Sequence, residues 1–175
     1  MPVAKINTMR FPGGKSKALT LSYDENVLAM LKTAGIIYAR TVNSTGNFQI
    51  PQNFLTWDPT CHHNDPELMD LAKKFCEEIS LFGQPQLFYL WGHSYEFDMD
   101  NNWQVMENFL KYMSDYQNEI WMATNGEIVD YVSAYRNLVF SADGKRIYNP
   151  SAVVLWMESL GCIYKIGSGE TITIK

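Results

Sequence analysis

From residue 18 to residue 138, short apolar β-prone runs alternate with amphipathic helical stripes, and this alternation restricts the fold more than any other feature of the chain. Strand-helix alternation is the pattern of a parallel sheet with covering helices. Strands are expected at 18–24 (ALTLSYD), 35–42 (GIIYARTV), 87–94 (LFYLWGHS) and 119–125 (EIWMATN), with a further strand end in PTCHH at 59–63. The first expected helix, 26–34, carries Val27, Leu28, Leu31 and Ala34 on one side, and Gly35 stands where a left-handed C′ residue belongs. In the second, Asp65 is the expected N-cap and Pro66 opens the first turn; the stripe Leu68, Leu71, Ala72, Phe75, Cys76, Ile79 and Phe82 runs until Gly83. Trp103, Met106, Phe109, Leu110 and Met113 mark a third, and Ile128, Tyr131, Val132, Tyr135 and Leu138 a fourth. Residues 43–58 read as a long irregular link.

Past Phe140 the pattern changes. Asp143-Gly144 is a hairpin signal, Asn149-Pro150 a turn, VVLWM a strand, and TITIK alternates with period two. The expected organisation is therefore α/β: a β/α domain over 1–140 and a small β-rich appendage, packed on it, over 141–175.

Charge and cysteine usage narrow the function classes. Fourteen Lys and Arg against nineteen Asp and Glu give a net charge of −5, a poor match to phosphate backbones, so nucleic acid is not an expected partner. No run approaches the roughly 18 to 20 apolar residues of a membrane span, and the start MPVAKINTMRF lacks the apolar stretch of a secretory signal. No membrane partner and a cytoplasmic location are the expectations. Cys61, Cys76 and Cys162 are odd in number and widely spaced, which suits reduced thiols and not a disulfide framework or zinc knuckle.

The expected strand tips carry Asp24 with Glu25, His62 with His63, His93 with Glu96, and Asn125 with Glu127. Tips of parallel strands converge on one mouth, where a carboxylate base facing a histidine acid can direct water onto an ester or amide. A metal that acidifies the water would help. Neighbours on a strand point to opposite faces, so only one of His62 and His63 is expected to join a given site. Each tip residue also has a plain structural reading as a cap or loop anchor. The aromatics Trp57, Tyr89, Trp91, Tyr95 and Trp103 could stack on sugar rings or fill the core.

Read as words, several of these segments resemble the polysaccharide deacetylase family (NodB-homology domain, carbohydrate esterase family 4). ALTLSYDE is similar to its first signature, a strand ending in Ser-Phe/Tyr-Asp-Asp-Gly. YARTVNSTGNF, WDPTCHHNDPELMDLA, LFYLWGHSYEFD, NNW, IWMATNGEIVDYVSAY and VFSADGKRIYNPSAVVLWM resemble the later half of a bacterial subgroup, and the likeness covers about residues 15–160. It implies a distorted β/α barrel that holds Zn, Co or Ni through one aspartate and two histidines and removes N- or O-acetyl groups from glycans. Asp24 falls at the general base and His93 at the general acid, while Glu25 occupies the place of the metal-binding aspartate. Trp91, Tyr95, His63 and Asn125 are the candidates to contact the sugar.

The departures set further expectations. The only histidines are His62, His63 and His93, so there is no His-x-x-x-His pair, and no arginine-bearing middle signature is recognisable. Glu25 with His62 or His63 remain as metal candidates. Asp24-Glu25 runs straight into what resembles a late helix of the family, and a complete β/α barrel typically needs ~200 or more residues. An internally shortened, open barrel is expected, with metal absent or weakly held and hydrolysis impaired. The alternative is a non-catalytic glycan-binding or structural remnant. Unpaired sheet edges also favour a second copy of the chain as partner.

Overall fold

The structure, a computed structural model, describes residues 5–9, 25–78 and 85–174. The expected strand 18–24, Asp24 itself, and Ile79, Phe82 and Gly83 at the end of the second expected helix lie outside the described residues. The fold is mixed α/β and forms two compact units, one extending to Asn125 and one from Gly126 onward.

The first unit is built on a four-stranded sheet of β1 (Lys5–Met9), β2 (Cys61–His62), β3 (Leu87–Trp91) and β4 (Ile120–Ala123), in the order β2-β3-β1-β4. All its pairings are parallel, with Ile6 opposite Leu87, Lys5 opposite Ile120, and Cys61 opposite Leu90. It is open, and no barrel closes among the described residues. β1 was not expected from the sequence: KINTM holds two apolar residues in five, too few for periodicity to register.

β3 is apolar almost throughout because both its faces are covered. Phe88 and Leu90 join a core with the stripes of α2 (Leu68–Glu77) and α4 (Trp103–Ser114). Leu68, Leu71, Ala72, Phe75 and Cys76 of α2 are buried with Met106, Phe109 and Met113 of α4. The Phe88 ring lies 5.5 Å from Phe75, 5.6 Å from Phe109 and 5.8 Å from Phe48, so residues of the irregular link also seal this core. Burial of each such ring contributes about 2–3 kcal/mol. On the alternate positions of β3, the Tyr89 ring meets the buried Trp57 ring at 4.7 Å.

Two local expectations need correction. Residues 35–42 form no strand, only one bridge between Arg40 and Trp57, and Ile36 and Ile37 are exposed. The neighbour they reach is a 3-10 turn at Phe54–Thr56, which offers almost no extended backbone to pair with. The second expected helix starts at Leu68, because Asp65 Oδ1 accepts the Glu67 N–H (2.9 Å) and holds the preceding residues in a turn. α1 (Glu25–Thr33) agrees with the sequence: Val27, Leu28 and Leu31 are half-buried, and Gly35 takes φ 69°.

The second unit contains most of α5 (Asn125–Arg136) and two antiparallel sheets. β5 (Val139–Phe140) and β6 (Arg146–Tyr148) form the hairpin expected at Asp143-Gly144, and β9 (Thr171–Thr173) adds to β6. β7 (Leu155–Ser159) pairs with β8 (Cys162–Ile166), a strand the sequence reading did not separate. Leu160 and Gly161 turn this hairpin with φ 51° and 76°. Ala134, Leu138, Ile147, Leu155 and Ile166 form its core. No described helix is long and apolar enough to cross a membrane.

Candidate functional site at the tips of β2 and β3

The β2-β3 pairing runs past the named strands. Thr60 N–H donates to Tyr89 O (2.8 Å) and His63 N–H to Trp91 O (2.9 Å). Immediately beyond, the chain turns, closed by the Asp65 N–H to the His62 carbonyl (3.0 Å). This turn cancels the alternation expected of adjacent strand residues. The His62 and His63 rings come to lie 4.3 Å apart, on the same side.

β3 ends at Trp91, and Gly92-His93 leads into α3 (Ser94–Met99), a helix the sequence reading did not find. Its signal was present: Glu96 stands three residues after His93, and its Oε2 accepts the His93 N–H (3.0 Å) as the third residue of a capping box does. That carboxylate oxygen is also 3.2 Å from His62 Nε2 and 3.6 Å from His63 Nε2. Glu96 thus joins the two expected tips into one cluster.

Around the cluster the Trp91 ring meets His62 edge-on at 4.4 Å, and the Arg40 guanidinium lies 3.7 Å over the Trp91 ring. Phe97 packs on His63 at 4.2 Å. The His93 ring stacks on exposed Tyr95 at 5.3 Å and lies 5.9 Å from Trp91. Burial lowers the pKa of both His62 and His63; His93 and Arg40 push His62 further down, and His62 pushes His63 down, against the opposing pull of Glu96. Both imidazoles therefore give up a proton more readily than a free imidazole.

His62, His63, His93, Trp91 and Tyr95 are brought together as one site. Asn125 is placed elsewhere: it is buried and donates through Nδ2 to the Tyr89 hydroxyl (2.9 Å), further back along β3. Glu25 is exposed in the first turn of α1. The described His, Cys, Asp and Glu side chains that could together hold a metal are His62, His63 and Glu96, and Glu25 is not among them. Gly92 was also missed by the sequence reading, for a lone glycine gives no sign of what lies against it.

No family model, curated protein or solved structure matches the chain.

Proposed function

We propose that the chain is a glycan deacetylase-like hydrolase of slow turnover, working at the tips of β2 and β3, on a shortened and open version of the deacetylase barrel. The observation that carries this reading is His93 set between Trp91 and the exposed ring of Tyr95, a histidine acid beside an aromatic face on which a sugar can stack. In the reaction, water oxygen bonds to the acyl carbon as its proton passes to the base, Asp24 by the family resemblance. The bond from that carbon to the sugar nitrogen or oxygen then breaks, and the leaving atom takes a proton from His93. Acetate and the free amine or hydroxyl result.

A divalent ion, when bound, would acidify the water and polarise the acyl oxygen. The family's ligand set does not fit this chain, which lacks the spaced histidine pair and exposes Glu25 on α1. Lacking the family's own ligand set, the chain forgoes the several kcal/mol that an ion held by that set would supply, at 1.36 kcal/mol per tenfold, and turnover is slow.

Acetate release from acetylated chitooligosaccharides and xylooligosaccharides tests the reading. Slow release is expected, falling at least about tenfold in Asp24→Asn and in His93→Ala. Release indifferent to both substitutions would remove the hydrolase reading.

A second reading, glycan binding without chemistry, is favoured by a separate cleft of about 350 Å³, lined by Asn47, Gln49, Asn53, Asp58, Thr60 and Tyr89. Amides and hydroxyls of this kind pair with sugar hydroxyls. Under it, oligosaccharide binding measured by calorimetry weakens in Asn47→Ala and Gln49→Ala and is unchanged in His93→Ala.

A further inference from the structure

We infer that His62, His63 and Glu96 form a binding site for a borderline divalent metal ion of the zinc class, on a ligand set different from the one the deacetylase resemblance implies. Three independent features of the structure meet there.

The first is spacing. Ligand atoms about 2.05 Å from a tetrahedral ion lie about 3.3 Å from one another. Glu96 Oε2 is 3.2 Å from His62 Nε2 and 3.6 Å from His63 Nε2, and the three ligand atoms all lie within 4.8 Å of one another, so the side chains must draw together to close on an ion.

The second is an unsatisfied group. His63 is 1% exposed, yet neither of its ring nitrogens has a hydrogen-bond partner among the described residues. A buried polar group left in this state is costly, and a coordinate bond would give Nε2 the partner it lacks. The third is support around the ligands. The His93 N–H fixes the Glu96 carboxylate, while Trp91 and Phe97 hold the two imidazole rings from the side.

Two imidazoles and one carboxylate suit zinc or cobalt better than calcium or magnesium, which prefer all-oxygen shells. Three protein ligands leave a fourth position open to water. One contact opposes the ion: His62 Nδ1 accepts the Asn64 N–H at 3.2 Å, an arrangement that leaves the ring proton on Nε2. Coordination through Nε2 requires that proton at Nδ1, so the bond to Asn64 is given up. It is solvent-exposed, and water takes its place.

The experiment is titration of the untagged full chain with Co²⁺, followed by its visible absorption, and with Zn²⁺ by calorimetry. Both are run in a Cys162→Ser background, because that exposed thiol is a competing ligand. One ion per chain is expected, with the intense visible bands of tetrahedral cobalt. Loss of an outer-shell partner alone typically costs 10- to 100-fold in affinity, so His62→Gln and Glu96→Gln, both at partly exposed positions, should each weaken binding at least about tenfold. Circular dichroism confirms that the variants fold, and His63→Gln serves as the buried counterpart. Absence of one-to-one binding, or binding indifferent to His62→Gln and Glu96→Gln, overturns the inference. Neither readout involves an acetylated sugar, so the outcome is independent of the hydrolase reading.

Discussion

The imidazole of His63 fills the space that a side chain at position 92 would need: a Cβ built on Gly92 would overlap His63 Nδ1. The ring cannot easily yield, since it is buried and packed against Phe97. Gly92→Ala should therefore lower stability by about 1–3 kcal/mol, the usual cost of overpacking. Urea unfolding measures it, and the double variant Gly92→Ala with His63→Ala should recover a large part of the loss. A Gly92→Ala protein as stable as the parent would mean that the ring lies elsewhere.

Phe88 is the ring on which the larger core converges, fully buried and touching Phe48, Phe75 and Phe109. Phe88→Ala is expected to cost about 3–5 kcal/mol. Phe140, an aromatic of the second unit that is half exposed, provides the contrast: Phe140→Ala should stay within about 0.5 kcal/mol. Comparable losses at the two positions would contradict the burial pattern.

The sequence reached the elements whose periodicity is long. The stripe of α2 and the apolar run of β3 were legible because a dozen or fewer residues already repeat the burial pattern several times. β1 was not, for its five residues repeat nothing, and 35–42 was misread because β-branched residues report a preference for extension and not the presence of a partner strand. At the site, His62, His63 and His93 stood out by residue type. Their relation did not. It depends on a turn that begins at His62 and on a one-and-a-half-turn helix that carries Glu96 back to both rings, and neither leaves a periodic trace.

The thiols divide by environment. Cys61 and Cys76 are buried and Cys162 is exposed, so brief iodoacetamide treatment of the folded chain should label Cys162 alone, with the other two reacting only in denaturant. Burial also pushes the Cys61 thiol up to about 12, and burial with hydrogen bonds to Tyr116 and Glu77 pushes the Tyr112 hydroxyl up. Groups raised in this way bind more protons folded than unfolded once the pH exceeds their ordinary values. For Cys61 the stabilisation is complete below about pH 9 and is lost as the pH rises toward 12, and for Tyr112 the loss begins near its ordinary value of about 10. Urea midpoints across this range check the prediction, and Cys61→Ala should flatten the decline.

In the second unit the turn at Asn149-Pro150 is held by one side chain. Asn149 is fully buried, and its Nδ2 donates to the carbonyls of Val153 (2.7 Å), Gly167 (3.0 Å) and Ile166 (3.2 Å). Its Oδ1 accepts the Ser151 N–H (3.0 Å) and hydroxyl (2.6 Å). The amide thus fastens the loop before β7 to the end of β8, next to the Leu155–Ile166 pair that closes the ladder. Asn149→Asp keeps the shape and the acceptor but sets a carboxylate oxygen against three carbonyls. Asn149→Ala removes both functions, although Val153 O still accepts the Ser151 hydroxyl (3.3 Å) and Gly167 O the Glu170 N–H (3.2 Å). Since a buried group stranded in this way costs about 1–3 kcal/mol, either substitution should destabilise the unit by at least about 1 kcal/mol. Hydrogen exchange will locate the effect: faster exchange at the Ser151 amide and along β7 and β8, with β3 and α2 unchanged, is the expected pattern. Uniform acceleration over the whole chain would show that the amide supports more than this turn, and no acceleration would show that it does not hold the turn at all.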